Sequence, residues 1–421
     1  MASIEKRANG SYRITVSTGY DTSGKKLRKH RTITLPDTLT DRQREKELER
    51  QKVLFEEQVR TGQFLDGSIR LQEFAAIWMT EYSEKQHKAK NVSTNRDLLV
   101  RINEALGHIR LCKLQPHHIL EFHSMLAEPG QNKKTGGGLS AKTILNYHRV
   151  LSSVLTTAVQ WGVIPDNPAK RVKPPRVKRQ EAKSLDDEQT MRLLAAIQHE
   201  TMKYRVAVET LIFLGARRGE LLGLTWADID FEAYTVNIDK SVLYLPATGV
   251  YGDSPKNESS NRVVKLPASV IRNLQAYKTM QLEEQLKLGN LWKGSGHIFT
   301  QWDGAVMHPD SLTQWFNGFI KRCNAAIDEN KALTEAEREA LRFPAITPHS
   351  LRHTNASLLI ASGANLRTVA ARLGHAQTST TANIYSHAIK TADAIASDAL
   401  EDKLLMGQNI PLQQTKTRKF M

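Results

Sequence analysis

Cysteine is nearly absent from this chain: Cys112 and Cys323 are the only two in 421 residues. They lie far apart, and neither has a partner at metal-ligand spacing. That argues against a disulfide framework or a zinc site and fits a reducing compartment. Long apolar runs are missing as well. No stretch approaches the roughly 20 residues of a membrane span, and Met1–Arg13 has no apolar core of signal-peptide length. A soluble cytosolic protein with no membrane partner is therefore expected. No repeat of solenoid period is present, and no cluster of carboxylates surrounds the motifs described below. Acidic residues are outnumbered, 44 Asp and Glu against 59 Lys and Arg, for a formal net charge of +15. Such a surplus favours a polyanionic partner, because each cation near a phosphate releases condensed counterions.

Hydrophobic residues make up 40% of the chain, enough for real cores. The length suggests about two to four domains. Residues 1–65 read as a small basic β-rich domain ending in a helix. Ser11–Ser17 alternates, with Tyr12, Ile14 and Val16 on one face and Arg13 on the other. A turn at Asp21–Gly24 leads to a second strand over Lys26–Leu35. Lys25, Lys26, Arg28, Lys29 and Arg31 crowd this hairpin, and a basic β-ribbon can enter a DNA groove. The plain alternative is a solvated edge strand blunted by charge. Thr40 or Asp41 caps the helix that runs to about Val59.

Residues 70–165 read as a helical domain. Phe74, Ile77, Trp78 and Tyr82 mark one helix. Ser93 is expected to cap a second, Pro116 to start a third and Ser140 to cap a fourth. The apolar stripes on these helices read as core. Residues 166–183 form a basic, proline-rich linker kept extended by its prolines. Its Arg171, Lys173, Arg176, Lys178 and Arg179 could lie along a phosphate backbone. A new domain, 184–390, opens with acidic residues in the first turn of a helix. It carries a small sheet around Ala233–Pro267. Residues 391–421 add a helix with an apolar stripe and a basic tail. The plain reading of that helix is that it folds back on its own domain. The fold class is mainly α with small β-sheets, in several domains.

Chemistry concentrates near the end. Thr347–Thr354 reads Thr-Pro-His-Ser-Leu-Arg-His-Thr, and Leu373-Gly374-His375 and Tyr385 follow. On a helix, His349 and Arg352 share a face. A guanidinium suits bidentate binding of a phosphate, and an imidazole moves protons near neutral pH. His353 is expected to face away from both. Arg217 and Arg218 follow an apolar run and Gly215, and Glu220 stands three residues after Arg217, where a carboxylate could hold it. Alone, each has a plain alternative. Tyr385 could be a half-buried aromatic, His375 a helix cap, and Arg352 an ion-pair partner of Glu220.

Together they resemble the tyrosine recombinases, or phage integrases, over roughly residues 70–400. Gly215-Ala216-Arg217-Arg218-Gly219-Glu220-Leu221 is similar to the segment with the first active-site arginine. Lys256, between Tyr251 and Arg262 in an expected β-hairpin, matches the hairpin lysine, with Lys240 and Lys265 as competitors. His349 and Arg352 match the His-x-x-Arg box, and Leu373-Gly374-His375 supplies the later histidine. Tyr385 follows ten residues on, as the nucleophile does in this family. Leu214 and Ala216 depart from the commonest pattern without removing any chemistry.

The resemblance implies a helical core-binding (SAM-like) domain, a mixed α/β catalytic domain and an N-terminal domain like those that bind arm sites. It implies Tyr385 as nucleophile, Arg217, Arg352 and His375 on the phosphate, His349 and Lys256 for proton transfer, and Glu220 in support. It implies strand exchange through a 3′-phosphotyrosine and a Holliday junction, with no metal and no cofactor. Partners would be double-stranded DNA, at core and arm sites, and three further copies in a homotetramer, with the helix of residues 391–421 docked on a neighbouring subunit. There is room for accessory DNA-bending or excision-directing proteins. The place would be the bacterial cytosol, on the nucleoid when bound, and the source a mobile element such as a prophage or transposon. Two rival readings are a noncatalytic DNA-binding regulator on this scaffold and a type IB topoisomerase-like enzyme.

Overall fold

The computed structural model describes residues 2–8, 10–20, 24–36, 39–60, 69–177, 183–253 and 261–385. The chain divides into two compact units, residues 1–179 and 180–421. Within the described residues it is mainly helical with small sheets.

The first unit opens with a three-stranded antiparallel sheet, β1 (Ala2–Lys6), β2 (Tyr12–Tyr20) and β3 (Lys26–Ile33), in that order. Helix α1 (Asp41–Arg60) packs on it, burying Ile14, Val16 and Phe55 together. The strand β1 has no counterpart in the sequence reading; its five residues are too short and polar to show a period. The register explains how the basic residues divide. Ile14 faces Arg31 and Val16 faces Lys29, so these two cations lie on the side of the core. Arg31 stacks over the Phe55 ring, 5.0 Å from its centroid. Arg13, opposite Thr32, and Arg28, opposite Ser17, belong to the other face. Lys25, Lys26 and Arg28 are exposed.

The same unit holds a helical core. It comprises α2 (Leu71–Trp78), a π-helical turn at Met79–Ser83, α3 (Glu84–Gln86), α4 (Ala89–Leu106), α5 (Pro116–Ala127) and α6 (Ala141–Gln160). Trp78 is fully buried and donates its indole N–H to Thr157 Oγ1 at 3.1 Å. Ser140 caps α6 by accepting from the Thr143 N–H, and Pro116 opens α5. Ser93 caps nothing: α4 starts four residues earlier, at Ala89, and runs through it. The stretch read as an extended linker is extended only in part. Pro168–Arg171 forms a 3₁₀ turn with Pro168, Ala169 and Val172 buried. Asn167 holds the turn by donating to the Ser152 carbonyl and Thr156 Oγ1, both at 2.9 Å. Three apolar groups and one amide outweigh the prolines' preference for open chain. Arg171, Lys173 and Arg176 are exposed, and Lys178 and Arg179 lie outside the described residues.

The second unit runs α7 (Asp187–Ala196), α8 (Met202–Leu214), α9 (Arg218–Gly223), β4 (Ile229–Asp230), β5 (Thr235–Ile238), β6 (Ser241–Leu245), β7 (Gly249–Asp253) and β8 (Arg262–Lys265). It continues with α10 (Ala268–Leu288), α11 (Pro309–Glu329), α12 (Glu335–Leu341), α13 (Pro348–Ala361), α14 (Leu366–Leu373) and α15 (Thr378–Ile384). Asp186 caps α7 in a capping box with Gln189. Strands β4, β5 and β8 form one sheet in that order, and β6 pairs with β7 in a separate hairpin. This corrects the expected pairing around Lys256. The strands that flank it belong to different sheets, because β8 zips onto β5 through Thr235–Lys265 to Ile238–Arg262. Buried side chains of α7–α11, the strands and α13 make one core. A smaller cluster of Ala356, Ile360, Val369, Leu373 and Tyr385 sits where α13 meets α14. The C-terminal helix expected beyond residue 390 lies outside the described residues.

Candidate active site

Two left-handed turns in the second unit bring polar side chains together around buried arginines. Helix α8 ends at Gly215, which adopts a left-handed conformation, φ +64°. A Cβ there would lie 2.7 Å from Asn355 Oδ1, so glycine is required by conformation and by space. The turn delivers Arg217 to the N-cap of α9. Glu220 at the third position accepts the Arg217 backbone N–H at 3.0 Å and its Nη1 at 2.6 Å.

Arg352, on α13, is 2% exposed. Its Nη1 donates to the Gly215 carbonyl at 2.8 Å and its Nη2 to the Leu373 carbonyl at 2.6 Å. Its acceptors are thus backbone dipoles rather than a carboxylate. Burial, and then the nearby Arg217, pull it down to about 9, which still leaves it charged at neutral pH. Helix α14 ends in a Schellman turn: Gly374 is left-handed and the His375 N–H reaches the Ala370 carbonyl at 2.9 Å. That turn presents His375, whose Nδ1 lies 2.8 Å from Thr381 Oγ1.

The phenol of Tyr385 closes the group. The ring is 3% exposed, and its hydroxyl lies 2.9 Å from Nδ1 of His353. His353 in turn meets His349 edge to face, with centroids 4.9 Å apart. The expectation that His353 faces away is therefore wrong. Residues four apart share a helix face, and the spacing of His349 and His353 carried that signal.

Burial dominates the electrostatics. Desolvation lowers His349, although that residue is exposed at its surface, with Arg352 and Arg217 adding to the effect. It lowers His353 and His375 to about 4 each. It pushes Tyr385 up to about 12, partly opposed by Arg352. Burial alone would raise Glu220, but Arg262 and Arg217 outweigh it and hold the carboxyl below its ordinary value.

Arg217, Glu220, His349, Arg352, His375 and Tyr385 are thus linked through these contacts. Lys256 lies outside the described residues. Of its competitors, Lys240 is paired with Asp228 at 2.8 Å, and Lys265 is exposed on β8. Arg218 leaves the pocket for Asp310, at 3.0 Å, and Thr313. The sequence reading missed Arg262, whose guanidinium is buried and contacts Glu220 at 2.7 Å. No group of three or more His, Cys, Asp or Glu arranged for a metal occurs among the described residues. No helix among them is long and apolar enough to cross a membrane.

Comparison with known proteins gives this arrangement a class. Residues 183–391 match the phage integrase family, and residues 71–174 match the phage integrase SAM-like domain. The chain belongs to the phage integrase family, the tyrosine recombinases, and is a site-specific DNA recombinase. It is 27% identical to a XerC-like tyrosine recombinase of Caldanaerobacter subterraneus, over 94% of this chain and 97% of the relative. It is 24% identical to the ICEBs1 integrase of Bacillus subtilis, over 96% of this chain and all of the relative. Among solved structures, the Tn1549 transposon integrase in complex with a circular intermediate DNA has a similar fold. Its TM-score is 0.62 at 24% identity, over 79% of this chain and all of that one.

Proposed function

We propose that this recombinase integrates and excises a mobile DNA element, and that Tyr385 is its nucleophile. Arg352 carries the reading. A buried guanidinium held by two carbonyls is an unneutralised positive charge in a poorly solvated place. A phosphodiester would supply the anion. Arg217 and Arg352 grip the nonbridging oxygens, whose charge grows in the transition state, and His375 adds a hydrogen bond. The phenol oxygen attacks phosphorus. The bond to the 5′-oxygen breaks, and a 3′-phosphotyrosine conserves its energy for rejoining.

A phenol pushed up to about 12 keeps its proton at rest, so the proton must leave as attack proceeds. His349 takes it. The residue is exposed at its surface, but desolvation by the surrounding protein and the arginines beside it hold the imidazole below its ordinary value, so it is neutral at pH 7 with a lone pair to offer. For attack, Tyr385 exchanges its contact with His353 for the phosphate. Lys256 protonates the departing 5′-oxygen. Rejoining runs the same steps backwards with a 5′-hydroxyl from another strand. Paired exchanges pass through a Holliday junction on a homotetramer.

The DNA is held by the +15 surplus. Arg13, Lys25, Lys26 and Arg28 take an arm site, while Lys29 and Arg31 lie on the core side of the sheet; Arg171, Lys173, Arg176, Lys178 and Arg179 take the backbone near the core site. The ICEBs1 integrase and the Tn1549 integrase, whose names refer to mobile elements, support this context. The test is a nicked duplex carrying the element's joined ends, which traps a covalent complex when the nicked fragment diffuses away. The full chain should form a protein–DNA adduct stable to denaturant, and Tyr385→Phe should form none. Binding without an adduct would favour a noncatalytic regulator. Relaxation of plasmids lacking the joined ends would favour a topoisomerase.

A further inference from the structure

Arg262 touches three parts of the pocket at once, although it belongs to the sheet. It opens β8, and its side chain is 6% exposed. Its Nη2 lies 2.7 Å from Glu220 Oε2, while Arg217 Nη1 lies 2.6 Å from the other oxygen, Oε1. Its Nε donates to the Arg372 carbonyl at 2.7 Å, next to the Leu373 carbonyl that holds Arg352. Its guanidinium also fills the space beside Gly374, where a Cβ would lie 2.9 Å from Nη1. The end of α14 is thus capped by two guanidiniums, one on each of two successive carbonyls, just before His375.

We propose that Arg262 is a positioning residue that divides the charge of Glu220, so that Arg217 is held in place without being neutralised. The inference rests on the reading of Arg217 as a phosphate ligand. One carboxylate shared between two arginines leaves net positive charge. The buried arginine takes the more enclosed share, since its side chain is 6% exposed against 42% for Arg217. Arg217 keeps donors and charge for an incoming phosphate. Without Arg262, both oxygens of Glu220 are available to Arg217, and a bidentate pair competes with the DNA. The same loss uncaps Arg372 and loosens the turn that presents His375. A lysine at 262 can reach Glu220 or the carbonyl but lacks the planar fork that serves both.

The test uses the full chain and the nicked duplex with the joined ends, with DNA affinity and adduct rate measured separately. Arg262→Ala should leave the Kd within about threefold and slow adduct formation about 100-fold, the size of losing one charge-stabilising donor. Adding Glu220→Gln to Arg262→Ala should recover about tenfold of that rate, because a neutral amide no longer competes for Arg217; coupling of that size is ordinary for groups in one network. Arg262→Lys should fall between, and it keeps the question answerable if Arg262→Ala folds poorly. An Arg262→Ala protein as fast as the parent, or a slow one that Glu220→Gln makes slower still, would overturn charge sharing. If the parent forms no adduct, or Arg217→Ala leaves the rate unchanged, the reading of Arg217 fails instead.

Discussion

Of the histidine pairs that lie ring against ring among the described residues, one sits in the helical core of the first unit and another beside Tyr385 in the second. His123 and His148, on α5 and α6, have centroids 5.3 Å apart; His349 and His353, on α13, have centroids 4.9 Å apart. Desolvation by the surrounding protein lowers all four, His123 and His353 each to about 4. Proximity and a low pKa therefore do not distinguish them. Their neighbours do. The first pair is set among the apolar helices, and neither His123 Nε2 nor His148 Nδ1 has a hydrogen-bond partner among the described residues. The second pair feels Arg352 and touches a phenol at 2.9 Å. A perturbed histidine marks a site when a reacting group and a fixed charge share its space.

The sharpest way to break this contrast is to substitute each pair. His349→Ala should slow adduct formation by about 10²–10⁴-fold, the range for a general base. His123→Leu should leave that rate within about threefold, as single-turnover kinetics at saturating DNA would show. Arg352→Lys should cost about 10²-fold, because one ammonium cannot serve the Gly215 and Leu373 carbonyls and a phosphate together.

Acid should expose the core pair. His123 is neutral when folded, and the unfolded chain binds the proton first. Its contribution is therefore present above pH 6.5 and is lost as pH falls toward 4. A fall from 6.5 to about 4 corresponds to about 3 kcal/mol. His123→Leu should be neutral or stabilising at pH 7 and more stabilising at pH 4.5, as thermal unfolding at the two values would reveal. A loss of stability equal at both values would contradict a buried, neutral imidazole. His353→Ala removes one hydrogen bond to the phenol and should cost about 1 kcal/mol of stability. The smallest effect belongs to the sheet face. Arg28→Ala should reduce the salt dependence of arm-site binding by about one counterion.

What was legible in the sequence was local. Ser140, Pro116 and the acidic turn before α7 announce helix starts because caps act within three residues. The left-handed turns at Gly215 and Gly374 lie where glycine follows the last leucine of a helix. The residues of the pocket could be named because their motifs, in order, resemble those of the tyrosine recombinases, and each type suits phosphate chemistry. What was not legible depends on partners distant in sequence. The pairing of β8 with β5 rather than β7, and the burial of Asn167 against α6, are set by packing that no short spacing encodes. Arg262 looked like one cation among many, and only the fold, which brings it to Glu220 and Arg372, separates it from the surface. His353 is a different case: its spacing from His349 was in plain view and was read onto the wrong face.

The most direct test of the account is peptide mapping of the trapped adduct by mass spectrometry. After nuclease and protease digestion, the account predicts a nucleotide attached through its 3′-phosphate to the peptide bearing Tyr385. Attachment to any other side chain, or through a 5′-phosphate, would contradict it.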